Sequence, residues 1–143
     1  MTIAAILKHK GFDIASVSPL VTITAVASLL SGRRIGAVVV MDSSEVLLGI
    51  LSERDIIHAL ANHGAGALEM TAGQVMTRTV KTATPHTTVT EAMEIMTTGR
   101  FRHLPVIEHN ALVGIVSIGD IVKARIMQQE HEVDSLKAYV AGG

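Results

Sequence analysis

The chain has 143 residues, a formal net charge of −1 with histidine neutral, 48% hydrophobic and only 2% aromatic residues, and no cysteine. Such a length fits one ordinary domain with a core of its own, and the missing cysteines exclude a disulfide framework, a thiolate nucleophile and a Cys-based zinc site. The near-neutral charge and scarce rings provide neither the basic field nor the stacking surface of a nucleic-acid binder.

The first segment, residues 1–11 (MTIAAILKHKG), reads as a short helix. Its apolar run, Ile3 to Leu7, is too short for a signal sequence or a bilayer span, so a soluble, cytoplasmic protein without a membrane partner is expected. Residues 12–62 then offer a lead-in strand, a helix through SLLSGRR, two strands at GAVVVM and VLLGILS, and a helix from Asp55 through RDIIHAL. The intervening MDSSEV has the chemistry of a hairpin turn. Residues 63–76, rich in Gly and Ala, read as a linker with one helical turn, Gly64 and Gly66 ending the helix before it.

Residues 77–126 repeat the same order more legibly. Thr88 and Glu91 stand in capping-box spacing, Ala92, Ile95 and Met96 share a helical face, and Gly99 marks the stop. HLPVI and ALVGIVS, separated by EHN, form a second hairpin, and another helix begins near Ile118. The tail, residues 127–143, continues as a polar helix; its apolar Val133, Leu136 and Val140, with Ile126 just before it, suit packing on the core or on a partner subunit.

The two segments are copies. Gly49, Ile50, Ser52, Asp55 and Ile56 recur 65 positions on, while Pro19, Thr22, Thr24, Arg34 and Val40 recur 66 positions on, which places a one-residue insertion between Val40 and Leu47. About 60 residues bury too little to fold alone, so the expected fold class is α/β (α+β), two β-α-β-β-α motifs packed about a pseudo-twofold axis.

Each copy carries Gly-Ile-apolar-Ser-x-x-Asp, at residues 49–55 and 114–120. Capping of the following helix accounts for Ser52 with Asp55 and for Ser117 with Asp120. The same placement also suits a ligand. A strand end feeding a helix N-terminus exposes several backbone N–H groups and a positive dipole end to phosphate, and an Asp beside them can accept two hydrogen bonds from a cis-diol. Phosphate plus ribose describes a nucleotide.

Together with RHLPVI and GIVSIGDIV, this doubled order resembles a tandem pair of CBS domains, often called a Bateman module, over residues 12–126 and in the stand-alone single-pair form. The resemblance implies a regulatory module that binds AMP, ATP, NAD or S-adenosylmethionine in a cleft between the motifs, forms a homodimer and signals by conformational or dimer change. Position by position, it implies that Asp55 and Asp120 hold ribose hydroxyls, with Ser52 and Ser117 near ribose or phosphate. Ser16 in one copy and Lys81 and Thr82 in the other line the cleft. Adenine lies against Ile35, Gly36 and Ala37, or against Phe101, Arg102 and His103 with Pro105 shaping the entry. Arg54 and Arg102 are candidates for phosphate, since a guanidinium binds it bidentately. Val39 stands where the second copy has Pro105, and Arg54 where it has Gly119, so the two sites are expected to differ.

His9, His58, His63, His86, His109 and His131 show no metalloenzyme spacing and read as surface residues; His103, beside Pro105, can meet phosphate or serve as an edge residue. No catalytic residue and no metal site is expected. Neither Ser52 nor Ser117 has a histidine placed to activate it, and no phosphate loop or nucleophile elbow is present. The alternative to a nucleotide-binding module is a ligand-free scaffold that recruits a partner enzyme, as yet unidentified.

Overall fold

The structure, a computed structural model, describes residues 1–142; Gly143, the last residue of the expected C-terminal helix, lies outside them. The chain forms two units, one of Asp13–Val80 and one of Met1–Phe12 with the described residues from Lys81 onward. Each is a small mixed α/β layer built on one hairpin.

In the first unit β1 (Ser16–Val17) runs parallel to β2 (Ala37–Met41), which pairs antiparallel with β3 (Leu47–Ser52). Helix α2 (Ile23–Arg33) is capped by the Thr22 side chain and buries Ile23, Val26 and Leu30 against Val38, Val40 and Leu51 of the sheet. Helix α3 (Glu53–His63) follows β3 without a loop and ends at Gly64, whose φ of 63° lies in the left-handed region that glycine adopts without strain. In the other unit α5 (Val89–Gly99), the antiparallel β4 (His103–Glu108) and β5 (Ala111–Ser117), and α6 (Ile118–Gly142) repeat that order. The lead-in is thinner here, a single parallel bridge from Ala83 to Val106 in place of β1. The expected capping box at Thr88 and Glu91 is present, and Ala92 and Met96 are buried.

Both hairpins bulge at matching positions, Val40/Met41 and Val106/Ile107. The inserted residue lies in the turn. Asp42 accepts from the N–H groups of Ser44 and Val46 across the longer first loop, whereas His109 and Asn110, at φ 51° and 63°, close the second as a tight pair of left-handed residues.

Gly99 does not terminate α5 through its own backbone. It is the last helical residue, and Arg100 takes the left-handed conformation after it, as Arg34 does after α2. Glycine is needed at 99 because a Cβ there would collide with the ring of Phe101.

The linker is more ordered than its composition suggests. After a 3-10 turn over Gly64–Glu69 comes α4 (Ala72–Val75), capped reciprocally by Thr71 and Gln74. Helix α4 lies in the first unit, while α1 (Ile3–Lys10), which precedes the first copy, lies in the unit of the second. The two helices dock through equivalent bonds. Ile3 N donates to Thr87 O at 2.8 Å, Ala4 N to Pro85 O at 2.9 Å and Val89 N to Met1 O at 3.0 Å; Ala72 N donates to Val21 O at 2.8 Å, Gly73 N to Pro19 O at 2.9 Å and Ile23 N to Met70 O at 2.8 Å. MTIAAIL and MTAGQVM are thus a third pair of copies, 69 positions apart.

Each docked segment passes against the motif glycine of its hairpin. A Cβ on Gly49 would lie 2.6 Å from Thr77 O and 2.8 Å from Met76 Sδ, and one on Gly114 would lie 2.7 Å from Leu7 Cδ2. A backbone oxygen cannot swing aside as a leucine methyl can. Gly49→Ala is therefore expected to destabilise the protein by about 1–3 kcal/mol through overpacking, and Gly114→Ala by less, as read from urea denaturation midpoints.

Candidate functional site

The register of each hairpin sets the strand entry beside the Ser-x-x-Asp turn. Ala37 pairs with Ser52, and Glu53 N donates to Gly36 O at 2.9 Å; His103 pairs with Ser117, and Ile118 N donates to Arg102 O at 2.7 Å. Ile35, Gly36 and Ala37 are thereby held next to Ser52 and Asp55, and Phe101, Arg102 and His103 next to Ser117 and Asp120. Pro105 is buried in β4, and its carbonyl accepts from Ala83 N, just after Lys81 and Thr82. Ser16 lies on β1 opposite Val39, one strand further from β3. Ser16, Arg54, Lys81, Thr82 and Arg102 are exposed, and neither arginine forms an ion pair with a described residue. The six histidines read as surface residues are all exposed.

Both Ser–Asp pairs do cap their helices. Ser52 N donates to Asp55 Oδ2 at 2.8 Å while Asp55 N donates to Ser52 Oγ at 3.3 Å. Ser117 N donates to Asp120 Oδ2, also at 2.8 Å, and Asp120 N to Ser117 Oγ at 3.1 Å. Capping and the strand-entry carbonyls together use two of the first three N–H groups of each helix, leaving those of Arg54 and Gly119. The sequence pattern alone implies several free donors there; the carbonyls of Gly36 and Arg102, which only the hairpin register brings into range, reduce that number.

What differs between the copies is the group facing the carboxylate. Asp55 Oδ1 accepts from Thr77 Oγ1 at 2.9 Å, next to the bridge that joins Thr77 to Ile50. In the other unit Lys10, in the last turn of α1, donates through Nζ to Ile115 O at 2.9 Å and to Asp120 Oδ2 at 2.6 Å. Ile50 and Ile115 are equivalent residues, so Lys10 fills the place of Thr77 and brings a positive charge. No sequence signal marks Lys10 or Thr77, because each comes from a docked segment outside the 65- and 66-residue repeat.

Partial burial works against ionisation of Asp120, but the hydrogen bond from Lys10, the Ser117 backbone N–H and the Lys10 charge outweigh it and hold the carboxyl below its ordinary value. Asp120 Oδ1 accepts no hydrogen bond from a described residue, so part of the carboxylate stays open to a donor from outside. A cavity of about 610 Å³ also opens in the first unit, lined by Leu30, Ile35, Gly36, Glu53, Ile56 and Ile57 among others. It takes Ile35 and Gly36 from the expected set, but neither Ser52 nor Asp55. Among the described residues no three His, Asp or Glu side chains converge on a metal-sized site, and no helix is long and apolar enough to cross a membrane.

Comparison with known proteins places this arrangement. The family model described as the CBS domain matches residues 6–62 and 72–127. A mitochondrial CBS-domain-containing protein of Arabidopsis thaliana is 38% identical over 118 residues, covering 80% of this chain but only 57% of that protein, so the chain spans less than two thirds of that relative. The crystal structure of a CBS-domain-containing protein from Agrobacterium tumefaciens superposes with a TM-score of 0.86 at 46% identity, over 87% of this chain and 99% of the other. A CBS domain pair solved in complex with 5′-methylthioadenosine and S-adenosyl-L-methionine has a TM-score of 0.77 at 25% identity, over 91% of this chain and 98% of that one.

The depressed Asp120 titration yields a signed pH dependence. A carboxyl held below its ordinary value contributes stability that is fully present above the ordinary range near pH 4 and is lost as pH falls through the lowered value. Lys10→Ala is expected to raise the Asp120 titration midpoint, followed by carboxyl carbon NMR, and to shift acid unfolding to higher pH. Lys8→Ala, two residues away on the same turn, is expected to do neither.

Proposed function

Since the chain belongs to the CBS-domain family, in two copies, we propose that it is a regulatory module binding an adenosine-containing ligand (AMP, ATP, NAD or S-adenosylmethionine) and not an enzyme. Asp55 and Asp120 take the ribose hydroxyls, Ser52 and Ser117 lie at ribose or phosphate, and adenine lies against Ile35, Gly36 and Ala37 or Phe101, Arg102, His103 and Pro105. Arg54 and Arg102 reach phosphate, and Ser16, Lys81 and Thr82 complete the surroundings. The ligand then shifts a conformational or dimer equilibrium through its differential affinity for two states.

The observation that carries this reading is the duplicated carboxylate. At both strand-to-helix junctions an Asp is fixed by a 2.8 Å bond from a Ser N–H, half-buried, beside a strand entry that offers backbone and apolar surface. A relative with two adenosine compounds bound adds to it. Capping does not compete with ligand binding here, because a carboxylate has about four acceptor positions and the cap uses only part of them.

Lys10 favours different ligand charges at the two sites. Its ammonium neutralises Asp120 and stands where a phosphate-bearing ligand gains from it, whereas the side chains that donate to Asp55 are the neutral hydroxyls of Thr77 and Ser52. The Asp120 site accordingly prefers AMP or ATP, and the Asp55 site tolerates a ligand without phosphate.

Calorimetry tests this with ligand and protein variants together. AMP is expected to bind, and 2′-deoxy-AMP to bind at least about tenfold more weakly, the loss of a hydrogen bond to a charged group. Asp55→Asn and Asp120→Asn, which keep an oxygen for the Ser N–H, should weaken AMP comparably, each at its own site. Lys10→Ala should narrow the preference for AMP over adenosine. Absence of heat with AMP, ATP, NAD and S-adenosylmethionine would leave the protein-recruiting scaffold as the better reading, and conversion of a bound nucleotide would show an enzyme.

A further inference from the structure

Helix α6 buries Ile121 and Ala124 in its first turns, and from Gln129 to Gly142 every residue is exposed. A helical extension of this length with no packed face is marginal in water, since helices in proteins are held mainly by tertiary packing. The exposed side is patterned. Val122, Ile126, Gln129, Val133, Leu136 and Val140 follow at alternating steps of four and three, a heptad seam whose apolar members are between 46% and 69% exposed. Where the seam begins, Ile118, Gly119, Val122, Lys123, Ile126 and Met127 line an apolar groove of about 410 Å³.

We infer that this seam pairs with the same seam of a second copy as a parallel two-stranded coiled coil. Ile126, Val133 and Val140 put β-branched residues at the a positions, and Leu136 stands at d beside Val122 and the polar Gln129; β-branched a with Leu at d is the combination that favours two parallel strands. The flanking charges select both partner and direction. In a parallel pair each g position faces the following e position of the other helix, so Arg125 meets Glu130 of the second copy and Glu132 meets Lys137 of the second copy. Reversal of one helix would set Glu130 against Glu130, Glu132 against Glu132 and Lys123 against Lys137. The helix is thus complementary to itself in one direction and repelled in the other. This inference does not depend on nucleotide binding.

Sedimentation equilibrium of the full chain, without nucleotide and over a dilution series, should show a dimer. Leu136→Asp, a change at an exposed position, should give a monomer whose core unfolds at an unchanged temperature. Lys137→Glu should weaken the dimer by about tenfold through two like-charge contacts, and Glu132→Lys combined with Lys137→Glu should restore it. Because the chain lacks cysteine, Val140→Cys gives a further readout. Parallel helices bring the two thiols together for oxidative cross-linking, whereas antiparallel pairing would separate them by about 27 Å along the axis. A monomer throughout the series, a dimer indifferent to Leu136→Asp, or a dimer that fails to cross-link at position 140 would overturn the inference.

Discussion

The close approach of a docked segment to a motif glycine is the constraint on which both units depend. Gly49 and Gly114 each lie on the second strand of a hairpin, three residues before the serine that starts the next helix. A side chain at either position would occupy the space of Met76 and Thr77, or of Leu7. With hydrogen in place of Cβ, the segment lies flat against the strand, and its backbone bonds to the lead-in and the following helix close the unit. In the first unit that contact also brings the Thr77 hydroxyl to Asp55; in the other, Lys10 reaches across Ile115 to Asp120. One packing requirement therefore explains the glycine and also supplies the polar partner of the carboxylate.

Duplication copied the scaffold more faithfully than the electrostatics. The Ser N–H to Asp bond has the same length in both copies, and the equivalent carbonyls of Gly36 and Arg102 take up the first N–H of the next helix. These are backbone-register features, and any sequence that preserves the hairpin preserves them. The third-party group is free to vary because it arrives on a separate segment. A hydroxyl leaves the site its negative charge, and an ammonium cancels it. Asp120 loses some solvation to partial burial, yet remains readily ionised because Lys10 and Ser117 together more than compensate. An ion pair at a half-exposed site adds little to stability, so its larger effect is on the local charge around the carboxylate.

Much of this is legible in the residues, for identifiable reasons. Capping boxes, β-branched hairpins and the turn holding the extra residue all depend on neighbours close in sequence, and the repeat at 65 and 66 positions makes each copy a check on the other. Two kinds of feature stay hidden. MTIAAIL and MTAGQVM are copies at a different spacing, 69, and share few identities, so MTAGQVM has the local character of a Gly/Ala-rich linker and MTIAAIL that of a free terminal helix. Their meaning lies in long-range backbone bonds, Ile3 to Thr87 and Ala72 to Val21, which no local pattern encodes. The stop of α5 is ambiguous in sequence for a related reason. Gly99 is small to clear Phe101, and the left-handed turn falls on Arg100, so the glycine signal lies one residue from the conformation that ends the helix.

Helix α6 is where the two halves of the functional reading meet. Its first turn carries Asp120, fixed by Ser117 and Lys10, and the same unbroken helix runs on to Gly142 with its apolar seam exposed. A ligand can shift an assembly equilibrium only if its contacts differ between the states. A flexible tether would average such a difference away, whereas a continuous helix transmits a change of direction at its base along its whole length. At 1.5 Å per residue, roughly 20 residues separate Asp120 from Val140 by about 30 Å, so a tilt of a few degrees at the carboxylate moves the far end by one to two ångströms. That displacement is comparable to the tolerance of side-chain packing in a helical seam, and it requires no rearrangement of the hairpin. Lys10 belongs to this chain of contacts as well. It ties α1 to the base of α6, so a diol that draws Asp120 away from the ammonium would loosen the element that sets the direction of the helix.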